Sequence, residues 1–151
     1  MSASIALAIL LACSALTLGM SIKRIPEGQV YTLRRLGHSA PRLLRPGTHW
    51  IWPVIEQVTH RISLAGHILK TGTETGLPRG TVFWQVLEPE RADAVIEQAE
   101  AMIHARYRQA AAKLAALPDG AACNAFLKRD LNAALGKHGI LVTRVRLDAD
   151  A

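Results

Sequence analysis

Cysteine is scarce in this chain, with two among 151 residues. Cys13 lies inside a continuous apolar run and Cys123 follows a loop, so no disulfide framework is available to hold a fold together. Metal-ligand spacing is missing as well. The six histidines (His38, His49, His60, His67, His104 and His138) are scattered. They form no His-Glu-x-x-His, no His-x-His and no His/Cys cluster, which argues against a metal centre. There is no Gly-x-Ser-x-Gly elbow, and Gly136-Lys137 lacks the preceding glycines of a phosphate loop. Asp119, Asp130, Asp148 and Asp150 show no pairing, and a lone Cys123 near a helix start reads as a small buried hydrophobe. These absences point away from an enzyme and call for no cofactor. No internal repeat is evident.

Charge is missing from one stretch altogether. Ala3 to Ile22 holds no charged residue and no proline, but five Leu, three Ile and five Ala. As a helix it spans about 30 Å, the thickness of a bilayer's hydrocarbon core. Its eight Leu and Ile favour insertion by about 4 kcal/mol, offset in part by Ser4, Ser14, Thr17, Gly19 and Ser21. The expectation is a transmembrane anchor over residues 1–22. Two alternatives stay open: a signal peptide cleaved near Gly19-Met20-Ser21, and a lipidated Cys13 after Leu10-Leu11-Ala12.

The stretch beyond this segment is basic. Between Lys23 and Gly72 eight Lys and Arg face two Glu, giving +6, so the whole net charge of the chain sits there. Cations directly after an apolar segment attract anionic lipid headgroups by about 1 kcal/mol each. No basic helix with interleaved aromatics accompanies them, so nucleic acid is not the expected partner. Lys23, Arg24, Arg34 and Arg35 flank one end of the segment only, which places the remainder in the cytoplasm by the positive-inside rule. Trp50 and Trp52 project to one side if extended. With Tyr31 they form an amphipathic set suited to the headgroup region.

Beyond the anchor, a single domain over 23–148 is expected, of α+β class. Ile25 to Gly28 reads as a turn, Gln29–Leu36 as a strand, and Gly37 to Pro41 and Arg45 to Gly47 as turns. Residues 54–64 alternate, with Val54, Val58, Ile62 and Leu64 on the inward face. Lys70 to Gly80 reads as a loop and Thr81–Leu87 as a strand. Val95, Ala99, Met102, Ile103, Ala110, Leu114 and Leu117 predict an amphipathic helix over 92–117. Pro118-Asp119-Gly120 breaks it, and a second helix over 122–135 and a strand over 140–147 close the chain. The sheet is expected to be mostly antiparallel, with both helices packed on one side.

Several segments occur in a recognisable order. Ile25-Pro26-Glu27-Gly28-Gln29-Val30 precedes a strand ending Leu36-Gly37. Pro46-Gly47-Thr48-His49-Trp50-Ile51-Trp52-Pro53 comes next, then a strand carrying Arg61. Arg129 to Leu135, Gly139 to Val142 and Val145 to Asp148 close the series. This order, behind an apolar segment, resembles the stomatin–prohibitin–flotillin (SPFH, band-7) superfamily. The motif positions are Pro26, Gly28, Gly37, Pro46, Gly47, His49 and Pro53. The resemblance implies a non-catalytic membrane scaffold that associates with itself or with a related SPFH subunit, and that organises membrane proteins such as proteases. The long charged helix that succeeds the domain in most relatives has no counterpart here, which puts large rings in doubt. A secreted or envelope binding domain released by cleavage is the alternative.

Overall fold

A computed structural model describes residues 2–38, 40–52, 54–72, 77–114 and 119–148. The sequence expectations for Pro53, for residues 73–76 of the loop, for Leu117 and for the Pro118 break lie outside these residues. The fold is mixed α+β: an N-terminal apolar helix precedes three small antiparallel sheets and packed helices. The chain divides into two compact units, residues 1–61 and 62–151.

The first unit opens with α1 (Ser2–Ser21). Ser14, Thr17 and Ser21 turn their hydroxyls back onto carbonyls three or four residues earlier. That is how hydroxyl residues satisfy themselves on a helix without other partners. β1 (Ile22–Ile25) pairs antiparallel with β4 (Gly47–Trp50). β2 (Gln29–Arg35) lies between β3 (Arg42–Leu44) and β5 (Glu56–Ser63). Ile25, Leu33, Leu44 and Ile51 form the buried core of this unit, with Tyr31 and Val58 packed against it. Gly28 (φ +80°) closes the Pro26–Gln29 turn and Gly37 (φ +82°) the Arg35–His38 turn. Each occupies the third turn position, where positive φ favours glycine.

The alternation expected over 54–64 is present from Glu56 to Ser63, with inward and outward residues in turn and Ile62 fully buried. Val54 is a correction: it sits in the turn before β5 and is 85% exposed. β1 and β3 leave no signal in the sequence, since three- and four-residue strands carry too short a pattern to register.

The second unit contains β6 (His67–Thr71), β7 (Gly80–Val86) and β8 (Ile140–Leu147), with β7 central. Lys70 and Thr71 therefore belong to a strand rather than to the expected loop. A bulge shifts the β7–β8 register between Phe83 and Trp84, and the Thr143 hydroxyl donates to the Phe83 carbonyl there. The long expected helix is divided. α2 covers only Pro89–Ala92, a 3-10 turn covers Ile96–Gln98, and α3 runs Ala99–Ala111. Val95 (φ −127°, ψ 1°) and Gln98 (φ −106°, ψ 1°) leave helical geometry, so the chain bends twice while the apolar spacing continues across the bends. α4 (Gly120–Leu135) begins at Asp119, whose carboxylate accepts the Ala122 N–H as an N-cap.

α3 and α4 are joined by a two-pronged ion pair, with Arg106 Nε and Nη2 at 2.8 and 2.9 Å from the Asp130 carboxylate. α4 also serves the sheet. Asn132 donates to the Val142 carbonyl and accepts the Val142 N–H at 2.7 Å, and Asn124 accepts the Leu147 N–H at 2.9 Å. Two amides eight positions apart on one helix thus satisfy backbone groups of β8 that a further strand would otherwise take.

Tyr107 of α3 is 1% exposed and its hydroxyl donates to the Pro78 carbonyl at 2.8 Å. Burial raises its pKa above the ordinary 10.0. A hydrogen bond with Thr71 pulls the other way, and the charge of Asp148 adds to the rise. The unfolded chain therefore releases this proton first as pH rises, and the stabilisation is lost as pH climbs through the folded value. Urea unfolding should show stability falling above about pH 10. Tyr107→Phe should flatten that decline, and an unchanged slope would refute the assignment.

Candidate membrane-contact site

α1 meets the length and composition required to cross a bilayer, and among the described residues it is the one helix that does so. Its apolar residues lie on every side rather than in a stripe, and Leu10 and Leu16 are 65% and 68% exposed. A helix that is apolar all round is normally enclosed, by protein or by lipid. Protein buries only 6% of the Ser4–Ser21 window.

The chain leaves α1 directly into a two-stranded ribbon. Ile22 pairs with Trp50, Lys23 with His49, Arg24 with Thr48 and Ile25 with Gly47. Side chains alternate across such a ribbon. One face carries Ile25, buried in the core; the other carries Ile22, Arg24, Thr48 and Trp50. The Ile51 N–H donates to the Ser21 carbonyl at 2.7 Å, which ties the strand to the last residue of the helix. Ile51 is buried, whereas Trp50 and Trp52 on either side of it are 52% and 62% exposed. The two tryptophans thus stand outward at the helix exit, with Ile22 opposite one of them. Arg24 is exposed on the Trp50 face of the ribbon and Lys23 is exposed on the opposite face.

The other sequence-predicted residues are distributed differently. Tyr31 is half-buried against the core, with the Arg61 guanidinium 5.4 Å from its ring centroid, so it is engaged within the unit. Arg34 and Arg35 are exposed at the end of β2. Among the motif positions, Pro26 and Gly28 form the turn after β1. Gly37 forms the turn after β2, and Pro46 leads into Gly47 (φ +138°) at the start of β4. His49 bonds through Nε2 to the Arg45 carbonyl at 2.8 Å, a structural role. Pro53 lies outside the described residues.

Sequence reasoning missed Leu36 and Val54, whose apolar side chains are 81% and 85% exposed, while Ile55, the apolar exception on the outward face of the 54–64 alternation, is 38% exposed. Leu36 directly precedes Gly37 in the Arg35–His38 turn, whereas Val54 continues the inward spacing of Val58 and Ile62 and carries no signal of its own. Among the described residues no group of three His, Cys, Asp or Glu could hold a metal ion. Cys13 is exposed on α1 and Cys123 is half-buried on α4, both as free thiols.

No family model and no curated protein matches this chain. Function is therefore read from the residues around the helix exit. Tryptophan favours the membrane–water interface because its ring is apolar while its N–H prefers water. Exposed Trp50 and Trp52, on either side of the Ile51 that bonds to the last residue of an apolar helix, and with Arg24 on the Trp50 face of the ribbon, meet that description.

Proposed function

We propose that this chain is a non-catalytic, single-pass membrane protein whose first unit rests on the bilayer surface. The observation that carries this reading is the outward pair Trp50 and Trp52 at the exit of α1. An apolar helix alone is compatible with a removable signal, whereas a tryptophan pair on either side of the residue bonded to its end suits a segment that stays. Ser21 supports retention too: it is 5% exposed, and its carbonyl accepts the Ile51 N–H. Cleavage after it would remove a partner of the sheet. The cations after α1 favour a cytoplasmic domain. The motif resemblance extends the proposal to a scaffold of SPFH type, associating with copies of itself or a related subunit and organising membrane proteins such as proteases.

The test uses the three tryptophans of the chain. Trp84 is buried at 3% exposure, so Trp84→Phe leaves only the interface pair as reporters. Reconstituted in vesicles, that variant should be quenched by lipids brominated near the glycerol end more than by lipids brominated at the chain end. Quenching by aqueous iodide alone would place both rings in water and refute the reading. N-terminal sequencing that starts at Ile22 would replace it with the secreted binding domain.

A further inference from the structure

We infer that the cleft between the end of β2 and the start of β5 receives the phosphate of an anionic phospholipid headgroup. The cleft is open and has a volume of about 670 Å³, within the range of roughly 300–1,000 Å³ typical of small-molecule sites. Its floor and walls lie wholly in the first unit, from Arg34 to His38 and from Val54 to Thr59.

Charge selects the ligand. Arg34 and Arg35 line the cleft, and among the described residues neither guanidinium takes part in a hydrogen bond or ion pair. Among the described residues Glu56 is the single acid lining it, and its carboxylate already accepts the Trp52 N–H at 3.2 Å. Gln57 and Thr59 add exposed neutral donors. Guanidinium forks suit phosphate oxygens in geometry as well as in charge.

The rim selects lipid over free phosphate. Leu36 and Val54 are the most exposed large apolar residues of the first unit, and both line this cleft. A free phosphate leaves them in water. The glycerol and upper acyl carbons of a phospholipid would cover them, which adds a hydrophobic contribution that inorganic phosphate lacks.

Position is the third argument. Ile51 is bonded to the last residue of α1, and Val54 comes three residues later, so the two lie at most about 11 Å apart. The headgroup layer is about 5–8 Å deep on each side of the hydrocarbon core. The cleft mouth therefore falls within reach of that layer. This placement rests on the proposal that α1 stays in the membrane.

The test uses the full chain in neutral detergent, with phosphatidylglycerol or phosphatidylcholine added and bound lipid counted by native mass spectrometry. Phosphatidylglycerol should bind at least about tenfold more tightly than phosphatidylcholine, consistent with two cations at a headgroup. R34Q/R35Q should lose that preference, while R144Q/R146Q, which removes the same charge from exposed positions on β8, should keep it. L36S/V54S should weaken the lipid and leave any binding of inorganic phosphate unchanged. A preference that survives R34Q/R35Q, or that R144Q/R146Q removes equally, overturns the inference. So does complete displacement by inorganic phosphate with no effect of L36S/V54S. Thermal melting of each variant checks that it is folded. An alkaline carbonate wash of cell membranes separates the two readings. Retention of wild type alongside a failed lipid preference sinks this inference alone, whereas release of wild type sinks the anchored reading.

Discussion

Leu11→Arg should shift this protein from the carbonate-resistant membrane pellet to the soluble fraction or to degradation. Leu11 is near the middle of α1 and 61% exposed, so the change disturbs no protein core. A leucine contributes about −0.5 kcal/mol to insertion and a central arginine about +3, so the exchange costs about 3.5 kcal/mol. That nearly cancels the contribution of about −4 kcal/mol from the eight Leu and Ile. The hydroxyls of Ser14 and Thr17 are already bonded to carbonyls of α1 and offer the arginine no counter-charge. Leu11→Phe keeps the insertion energy and should remain in the pellet. If the arginine variant were retained through carbonate as well as wild type, α1 would not be a span.

A comparable loss, in stability rather than location, is expected of Gly139→Ala. Gly139 ends the turn between α4 and β8 at φ +71°, and its carbonyl accepts the N–H groups of both Leu87 and Glu88. A Cβ there would fall on the Glu88 carbonyl oxygen and the Glu88 Cβ, so the positive φ and the close approach act together. The residue joins the start of β8 to the segment just past β7. We expect a cost of about 3 kcal/mol, from backbone strain and the displaced contact. For a unit of this size that lowers Tm by about 10–20 °C, read by near-ultraviolet circular dichroism. Gly28→Ala is the comparison. Gly28 has φ +80° but nothing within 4 Å of an added Cβ, so strain of about 1 kcal/mol is all it should lose. Equal losses at the two sites would show that the Glu88 contact contributes nothing.

The headgroup cleft and the tryptophan pair have different origins in the chain. The tryptophans stand two positions apart in one short segment, so their pairing is local, and the structure leaves both exposed. The cleft is not local. Leu36 and Val54 lie 18 positions apart, and Val54 continues the inward alternation of Val58 and Ile62. Only the turn before β5 rotates it outward.

Local periodicity underlies every feature that was legible in the order of residues. The apolar run of α1, the alternation over Glu56–Ser63, the helix ending at Leu135 and the strand over Ile140–Leu147 each arise from neighbouring residues within a few turns or pleats. So does the concentration of positive charge after the helix. Long-range contacts set the features that need partners distant in the chain. They divide the expected single sheet into three, and they supply β1, β3 and β6, which are too short to be recognised apart from the strands they pair with. They break the long helix at Val95 and Gln98, where apolar spacing alone cannot reveal a bend. They also set Asn124 and Asn132 against β8 and place the tryptophans at the end of α1 through the β1–β4 pairing and the Ile51–Ser21 bond. One cause is common to all of these. A helix satisfies its own hydrogen bonds nearby, whereas a short strand, a bend or a capped edge exists only because a remote segment supplies its partner.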